Sequence, residues 1–339
     1  FQAREAVNPY YADLPGILEN LLEQLGRRTG RCHGLVDFVG APDAERVLVL
    51  LGSGAETARE VVGALSARGE KVGLLVVHLL RPFPAERLVA ALPASTRALA
   101  VLDRTKEPGA AGEPLYKDVV VALAEARARG RIADLPRVIG GRYGLGSKEF
   151  TPGMVAAVLQ ELEAREPRHP FTVGIVDDVS ETSLEPISEL HTEPEGMRAL
   201  FFGLGSDGTV GAAKSTVKII GEHTDLHAQG YFVYDSKKSG AVTVSHVRFG
   251  RQPIHSTYLI ERAEFVACHQ FGFLERMPLL DKAVDGGTFL LNSPYAPEEV
   301  WSRLPLEVQQ EILTRRLALW VVDAQGVAER VGLGGQSTP

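Results

Sequence analysis

The chain has 339 residues, 36 Lys and Arg against 43 Asp and Glu, a formal net charge of -7 and 45% hydrophobic residues. That length exceeds what one ordinary core organises and predicts two domains, while the acidic balance gives no support to nucleic-acid binding, which needs a basic surface to displace counterions. No apolar run approaches the ~18 residues of a membrane helix, and the opening FQAREAVNPYY has neither the basic start nor the apolar stretch of a secretory signal, so a cytoplasmic protein with no membrane partner is expected.

The first predicted element is an amphipathic helix. Leu14, Ile17, Leu18, Leu21, Leu22 and Leu25 recur at helical spacing, so one face docks on a core while Glu19, Glu23, Arg27 and Arg28 stay wet. The helix breaks at GRRTGRCHG. Strands and helices then alternate as far as Ile175: a strand at Val47–Leu51, a helix at Ala55–Ala67, a strand at Lys71–Leu80, and a turn at Pro82 and Pro84 before a helix around Leu88 and Ala91. A strand at Ala98–Asp103, a helix at Leu115–Ala128, a strand near Arg137–Gly140, a helix at Pro152–Ala164 and a strand from Phe171 complete the series.

Strands that read as continuous apolar runs between helices predict a parallel sheet covered on both faces. In such a sheet ligand loops gather at the strand C-termini, which here carry DRTKEPGAAGEPLY from Asp103 and GGRYGLGSKEF from Gly140. For Arg104, Lys106 and Glu107 the plainer expectation is a solvated loop.

A stretch rich in Glu, Pro and Ser, from Val179 to Gly196, marks a linker. Beyond it ALFFGLGSDGTVGAAKSTVKIIG runs from an apolar strand through a glycine-rich turn into a helix at Ala212–Glu222. Gly203, Gly205, Gly208 and Gly211 free the backbone to bend, and the helix turns its positive end toward the same spot, an arrangement suited to phosphate. Glycines at this spacing also occur wherever a strand packs closely on a helix. The next strand ends YFVYDSKKSGA, placing an acid, Asp235, where a dinucleotide fingerprint has one. Ser236, Lys237, Lys238 and Ser239 follow it at once, two cations between two hydroxyls, which suits a ligand with extra phosphate such as the adenosine end of coenzyme A. Strands are further predicted at Ala241–Phe249, Glu264–Cys268 and Thr288–Leu291, the last closing on Asn292, Ser293 and Pro294.

Cys32 and Cys268 stand far apart with no C-x-x-C spacing, so the chain ligates no iron–sulfur cluster by itself, and each thiol is expected to be buried and inert. His223 and His227 in HTDLH are one helical turn apart, but no third metal ligand is evident nearby, and a polar helix end is the expected reading.

The strings EAVNPYY, GAPDAERV, ARGEKVGLL, LLRPF, LDRTKEPGAAGEPLY, GGRYGLGSKEFTP, GLGSDGTVGA, YDSKKSGAVTVSHVRFG, IHSTYLI, FVACH and GGTFLLNSPY together resemble the pyruvate:ferredoxin (or flavodoxin) oxidoreductase family. The resemblance runs through essentially the whole chain and implies the middle portion of a longer polypeptide. Residues 1–45 would be a linker helix and the tail of a preceding domain, 46–195 a transketolase C-terminal-like α/β domain of mainly architectural role, and 196–339 a Rossmann-like coenzyme A-binding domain, giving an α/β fold of two parallel-sheet domains. The family's chemistry is oxidative decarboxylation of pyruvate on thiamine diphosphate, one-electron transfer through iron–sulfur clusters to ferredoxin or flavodoxin, and acetyl transfer to coenzyme A. The implied partners are the remaining domains of the same enzyme, the electron acceptor and a second copy in a homodimer.

By motif, Thr209 would hydrogen-bond phosphate with the N–H groups of Gly208 and Val210, Ser236, Lys237, Lys238 and Ser239 would bind anionic groups, and Asn292 would fix the pantetheine arm. For Thr209 the plainer role is helix capping; for the lysines, a solvated turn. No catalytic residue and no metal ligand is assigned. Ala213 precedes Lys214 where family members often have asparagine. The family's thiamine motif needs a Gly-Asp-Gly and a later asparagine; Ser206-Asp207-Gly208 is the nearest string and no asparagine follows at the required distance, so thiamine diphosphate, magnesium and the clusters are expected only in the whole enzyme, and the chain alone is expected to be inactive. Two other classes stay open on the residues: a nicotinamide-dependent oxidoreductase using the glycine turn, and a structural subunit that binds nothing.

Overall fold

The computed structural model describes residues 1–188, 190, 192, 195–234 and 241–332. The chain divides into two compact units, Phe1–Glu193 with His255–Tyr258, and Pro194–Ile254 with Leu259–Pro339.

The first unit opens with helices α1 (Gln2–Glu5) and α2 (Asn8–Thr29), followed by strands β1 (Val36–Gly40) and β2 (Arg46–Leu50). Helix α3 (Gly54–Ala67), strand β3 (Val72–Val77), helix α4 (Ala85–Ala91), strand β4 (Ala98–Asp103) and helix α5 (Pro114–Ala128) continue the alternation. Strand β5 (Arg137–Arg142), helix α6 (Pro152–Glu161) and strands β6 (Phe171–Val173) and β7 (Ser183–Leu184) finish it. The sheet order is β1-β3-β2-β4-β5-β6-β7, parallel throughout except for β1, which runs antiparallel on the β3 edge.

Alternate residues of the central strands feed two cores. Leu48, Leu50, Leu74, Val76, Ala100 and Leu102 meet Ala58, Val61 and Val62 of α3 and Val155, Val158 and Leu159 of α6. Their neighbours Val47, Val49, Leu75, Val77, Leu99 and Val101 meet Leu88 of α4 and Leu115, Val119 and Leu123 of α5. Burial on both faces is why these strands carry unbroken apolar runs instead of alternating ones.

Helix α2 differs from its expected docking. Leu14, Leu18 and Leu22 are half-buried and Gly26 is buried, but Ile17, Leu21 and Leu25 are exposed. The apolar stripe is wider than the face this unit covers. Arg87 of α4 ties the helix down with a two-pronged contact to Glu19, at 2.8 and 3.1 Å.

The second unit contains strand β8 (Met197–Leu204), helix α7 (Thr209–His223), and strands β9 (His227–Tyr234), β10 (Val242–Gly250), β11 (Ala263–Cys268) and β12 (Ala283–Asn292). Helices α8 (Pro297–Arg303) and α9 (Leu306–Thr314), strand β13 (Ala318–Val322) and helix α10 (Ala324–Arg330) follow. The order is β13-β12-β11-β8-β10-β9. Strands β8, β11, β12 and β13 are mutually parallel, whereas β10 runs antiparallel to both β8 and β9. The sheet is therefore mostly, not wholly, parallel. A hairpin return places β10 in the position that a dinucleotide fingerprint gives to the second strand of its βαβ unit. One face packs Leu200, Phe202, Val266, Phe289 and Leu291 against Val300, Val308 and Ile312, and the other packs Ala199, Phe201, Val247 and Phe265 against Ala213 and Val217 of α7.

Candidate functional site

From β8 the chain leaves through α7 toward the β9 edge, and later returns on the opposite side of β8 to form β11. The C-terminal ends of β8 and β11 thus form a topological switch point, the position at which open α/β sheets bind ligands. The glycine turn of residues 204–208 and the segment His269–Gln270 meet there.

The turn is organised by a buried carboxylate. Asp207, 6% exposed, accepts hydrogen bonds from the N–H groups of Leu204 at 2.7 Å and Thr209 at 2.8 Å, and from the Gln270 amide at 3.2 Å. Burial alone would raise the Asp207 carboxyl, but these donors outweigh it and hold it below the ordinary carboxylate range. Gly203 makes the arrangement possible: a Cβ there would lie 2.0 Å from Thr209 Oγ1 and 2.9 Å from Asp207 Oδ2. Ser206 and Gly208 adopt φ of 70° and 90°, the left-handed conformation that reverses the chain into α7.

Thr209 is fully buried, and its hydroxyl lies 2.8 Å from His269 Nδ1. That hydroxyl is spent inside the turn and is not offered to solvent. The outward face is backbone. Gly208 and Gly211 are exposed and Val210 half-buried, and the N–H groups of these three residues find no acceptor among the described residues. They add to the positive end of a 15-residue helix. His269, half-buried, is kept neutral because burial lowers its pKa further than the nearby Asp207 charge restores it. Its Nε2 has no protein partner among the described residues.

Asn292 ends β12 at the same edge. Its amide donates to His269 O at 3.1 Å and its carbonyl accepts from Ala324 N at 3.0 Å, so the side chain straps the loops that follow β11 and β13. Ser236, Lys237, Lys238 and Ser239, with Asp235, lie outside the described residues. The flanking strand ends do not: Tyr234 and Val242 are at this edge, Val242 pairing with Leu204 and Thr243 with both Gly203 and Tyr234.

Asp207, His269 and Gln270 were not among the sequence-assigned residues. Both GLGSDGTVGA and FVACH were visible as strings, but 60 residues separate Thr209 from His269 and nothing in a single sequence pairs them. The two thiols divide. Cys268 is buried, donates to Gln270 O at 3.1 Å, and is pushed up to about 12 chiefly by burial. Cys32, expected to be buried, is exposed, because it lies in the turn that follows α2.

In the first unit the loops after β4 and β5 are joined by buried charges. Asp103 accepts from the N–H groups of Leu115 at 2.9 Å and Tyr116 at 3.1 Å, capping α5, and Glu113 accepts from Arg142 Nε at 2.5 Å and Glu107 N at 2.7 Å. Arg104 and Lys106 are exposed, though Arg104 Nε donates to Gly144 O at 3.1 Å; Glu107, expected in a solvated loop with them, is instead half-buried and accepts from Lys117 Nζ at 2.6 Å.

The sequence profile described as pyruvate ferredoxin/flavodoxin oxidoreductase matches residues 198–338, and that described as pyruvate:ferredoxin oxidoreductase core domain II matches residues 44–146. The chain is 57% identical, over 99% of its length, to a pyruvate-flavodoxin oxidoreductase of Trichormus variabilis and 55% identical, also over 99%, to a pyruvate:ferredoxin oxidoreductase of Moorella thermoacetica. It covers 28% of each of these relatives, little more than a quarter of their length. With two of that family's domains in succession and more than half its residues shared with these relatives, the chain belongs to the pyruvate ferredoxin/flavodoxin oxidoreductase family.

Proposed function

We propose that the chain is the middle portion of a pyruvate:ferredoxin or pyruvate:flavodoxin oxidoreductase, supplying a scaffold and a coenzyme A-binding unit. The observation that carries this reading is the identity along nearly the whole chain to relatives of that name. In the whole enzyme, pyruvate and coenzyme A become acetyl-coenzyme A and carbon dioxide, the thiol proton is released, and two electrons leave one at a time to ferredoxin or flavodoxin. The whole enzyme acts as a homodimer in the cytoplasm.

The residues here do not fit the redox cofactors. Asp207 is buried with both carboxylate oxygens engaged by N–H donors of its own fold, which disfavours it as a magnesium ligand for thiamine diphosphate, and two cysteines cannot ligate a cluster. What the chain offers is anion binding. The amides of Gly208, Val210 and Gly211, without an acceptor among the described residues, cradle a phosphate of coenzyme A at the start of α7, while Lys237 and Lys238 neutralise its remaining phosphates and Ser236 and Ser239 hydrogen-bond them. Thr209 and Asn292 shape this edge from within, through His269 and the neighbouring backbone, without touching the ligand.

Calorimetric titration of the chain with coenzyme A and, separately, with NADP tests the proposal. Coenzyme A is expected to bind in a single event that weakens about tenfold or more in the Lys237→Ala/Lys238→Ala variant, while NADP gives no heat. Binding of NADP in preference to coenzyme A, or silence from both with folded protein, would overturn it.

A further inference from the structure

We infer that His33, Asp37 and His78 form a binding site for a zinc-class divalent ion on the edge of the first sheet. Strand pairing builds it. Strand β1 lies antiparallel to β3, with Val36 opposite Val77 and Asp37 opposite Val76, and the His78 N–H extends the ladder by donating to Leu35 O at 2.9 Å. That register holds His78 beside Asp37, although 41 residues separate them in sequence. His33 arrives from the turn before β1, where the Gly34 N–H donates to Asp37 Oδ1 at 2.8 Å. One carboxylate oxygen is thereby fixed and the other is left to face both imidazoles.

Asp37 Oδ2 lies 3.3 Å from His33 Nδ1 and 3.0 Å from His78 Nε2, and the three ligand atoms all lie within 4.8 Å of one another. A tetrahedral zinc with bonds of about 2.0–2.1 Å has ligand-to-ligand edges of roughly 3.3 Å, so two edges already match. The third closes by rotation of the exposed His33 ring, which is tilted 59° to His78 with centroids 5.3 Å apart and is not stacked on it. Two imidazole nitrogens and one carboxylate select zinc, cobalt or nickel over magnesium or calcium, which prefer all-oxygen shells. Three protein ligands leave a coordination position for water.

His33 and His78 are both exposed, so an ion reaches the group from solvent. A groove of about 430 Å³ lined by Glu19, Glu23, Arg27, Cys32 and His33, among others, adjoins the group, with its carboxylates already paired, Glu19 to Arg87 and Glu23 to Arg27. The site is independent of the proposed coenzyme A edge, which belongs to the other unit.

Chelator-stripped chain titrated with zinc against a chromogenic chelator, and with cobalt followed by visible absorption, provides the test. One ion per chain is expected, with the intense visible band of tetrahedral cobalt. Affinity should fall about tenfold or more in His33→Gln and in His78→Gln, a loss that even an outer-shell partner can cause. His223→Gln should leave binding unchanged. His33 is an exposed turn residue, so its variant is expected to fold even if a change at His78 disturbs the sheet edge. Absence of stoichiometric binding, or binding undiminished in folded His33→Gln and His78→Gln proteins, would overturn the assignment.

Discussion

Gly203 shows how one residue sets the candidate site. Any side chain there meets the Thr209 hydroxyl at 2.0 Å, and the obstruction is a buried residue already held by His269 and Asp207, not the loose end of a flexible chain. Gly203→Ala must therefore shift the start of α7. We expect a loss of about 1–3 kcal/mol in stability from overpacking, measured by denaturant unfolding, together with weaker coenzyme A binding. Gly211→Ala, at a position with open space, should be neutral or mildly stabilising in the same measurement.

Among the elements, helix α5 depends on a cap that comes from elsewhere in the sequence. Its N-cap residue, Glu113, makes no side-chain cap hydrogen bond; the first N–H groups are satisfied by Asp103 at the end of β4. Burial, helped by Glu113 and Asp118, raises the Asp103 carboxyl above its ordinary value against the opposing pull of the two amides. Removing the carboxylate leaves the buried Leu115 N–H and the part-buried Tyr116 N–H without that acceptor. Asp103→Ala should cost about 2 kcal/mol, and Asp103→Asn, which keeps an acceptor, should cost less. Chemical denaturation checks the difference, and protection of the α5 amides from hydrogen exchange should fall with it. Helix α2 shows the reverse dependence, with a strong periodic pattern of which one row packs and another stays exposed.

For the molecule as a whole, stability should depend on pH through His246. Burial, with smaller contributions from Lys282 and Arg248, lowers its pKa from 6.5 to about 4, and its Nδ1 accepts from Ile260 N at 3.0 Å, which requires the neutral ring. The unfolded chain binds this proton at a higher pH than the folded one. Folding stability therefore falls as pH drops from about 6.5 toward about 4, by up to about 3 kcal/mol. His246→Asn, which retains an acceptor for Ile260, should flatten that part of the profile in denaturant titrations at stepped pH. An unchanged slope would show that another group carries it.

Much of this protein was legible in the order of its residues. Apolar runs such as Val47–Leu51 and Ala98–Asp103 gave the strands of a two-faced sheet, since burial on both sides leaves no room for alternation. Glycines and prolines marked the turns, and the family strings, long and distributed along the chain, carried the relationship. The glycine turn was found, but not what fills it: Asp207 reads in sequence as a fragment of a metal motif and acts in the fold as the acceptor that closes the turn. The antiparallel β10 was equally hidden, because an apolar strand has the same side-chain pattern whichever way it runs. Pairings across 60 residues, as between Thr209 and His269, or across 41, as between Asp37 and His78, arise from strand register. Local periodicity records which face a residue takes; only the folded sheet decides which distant residue shares it.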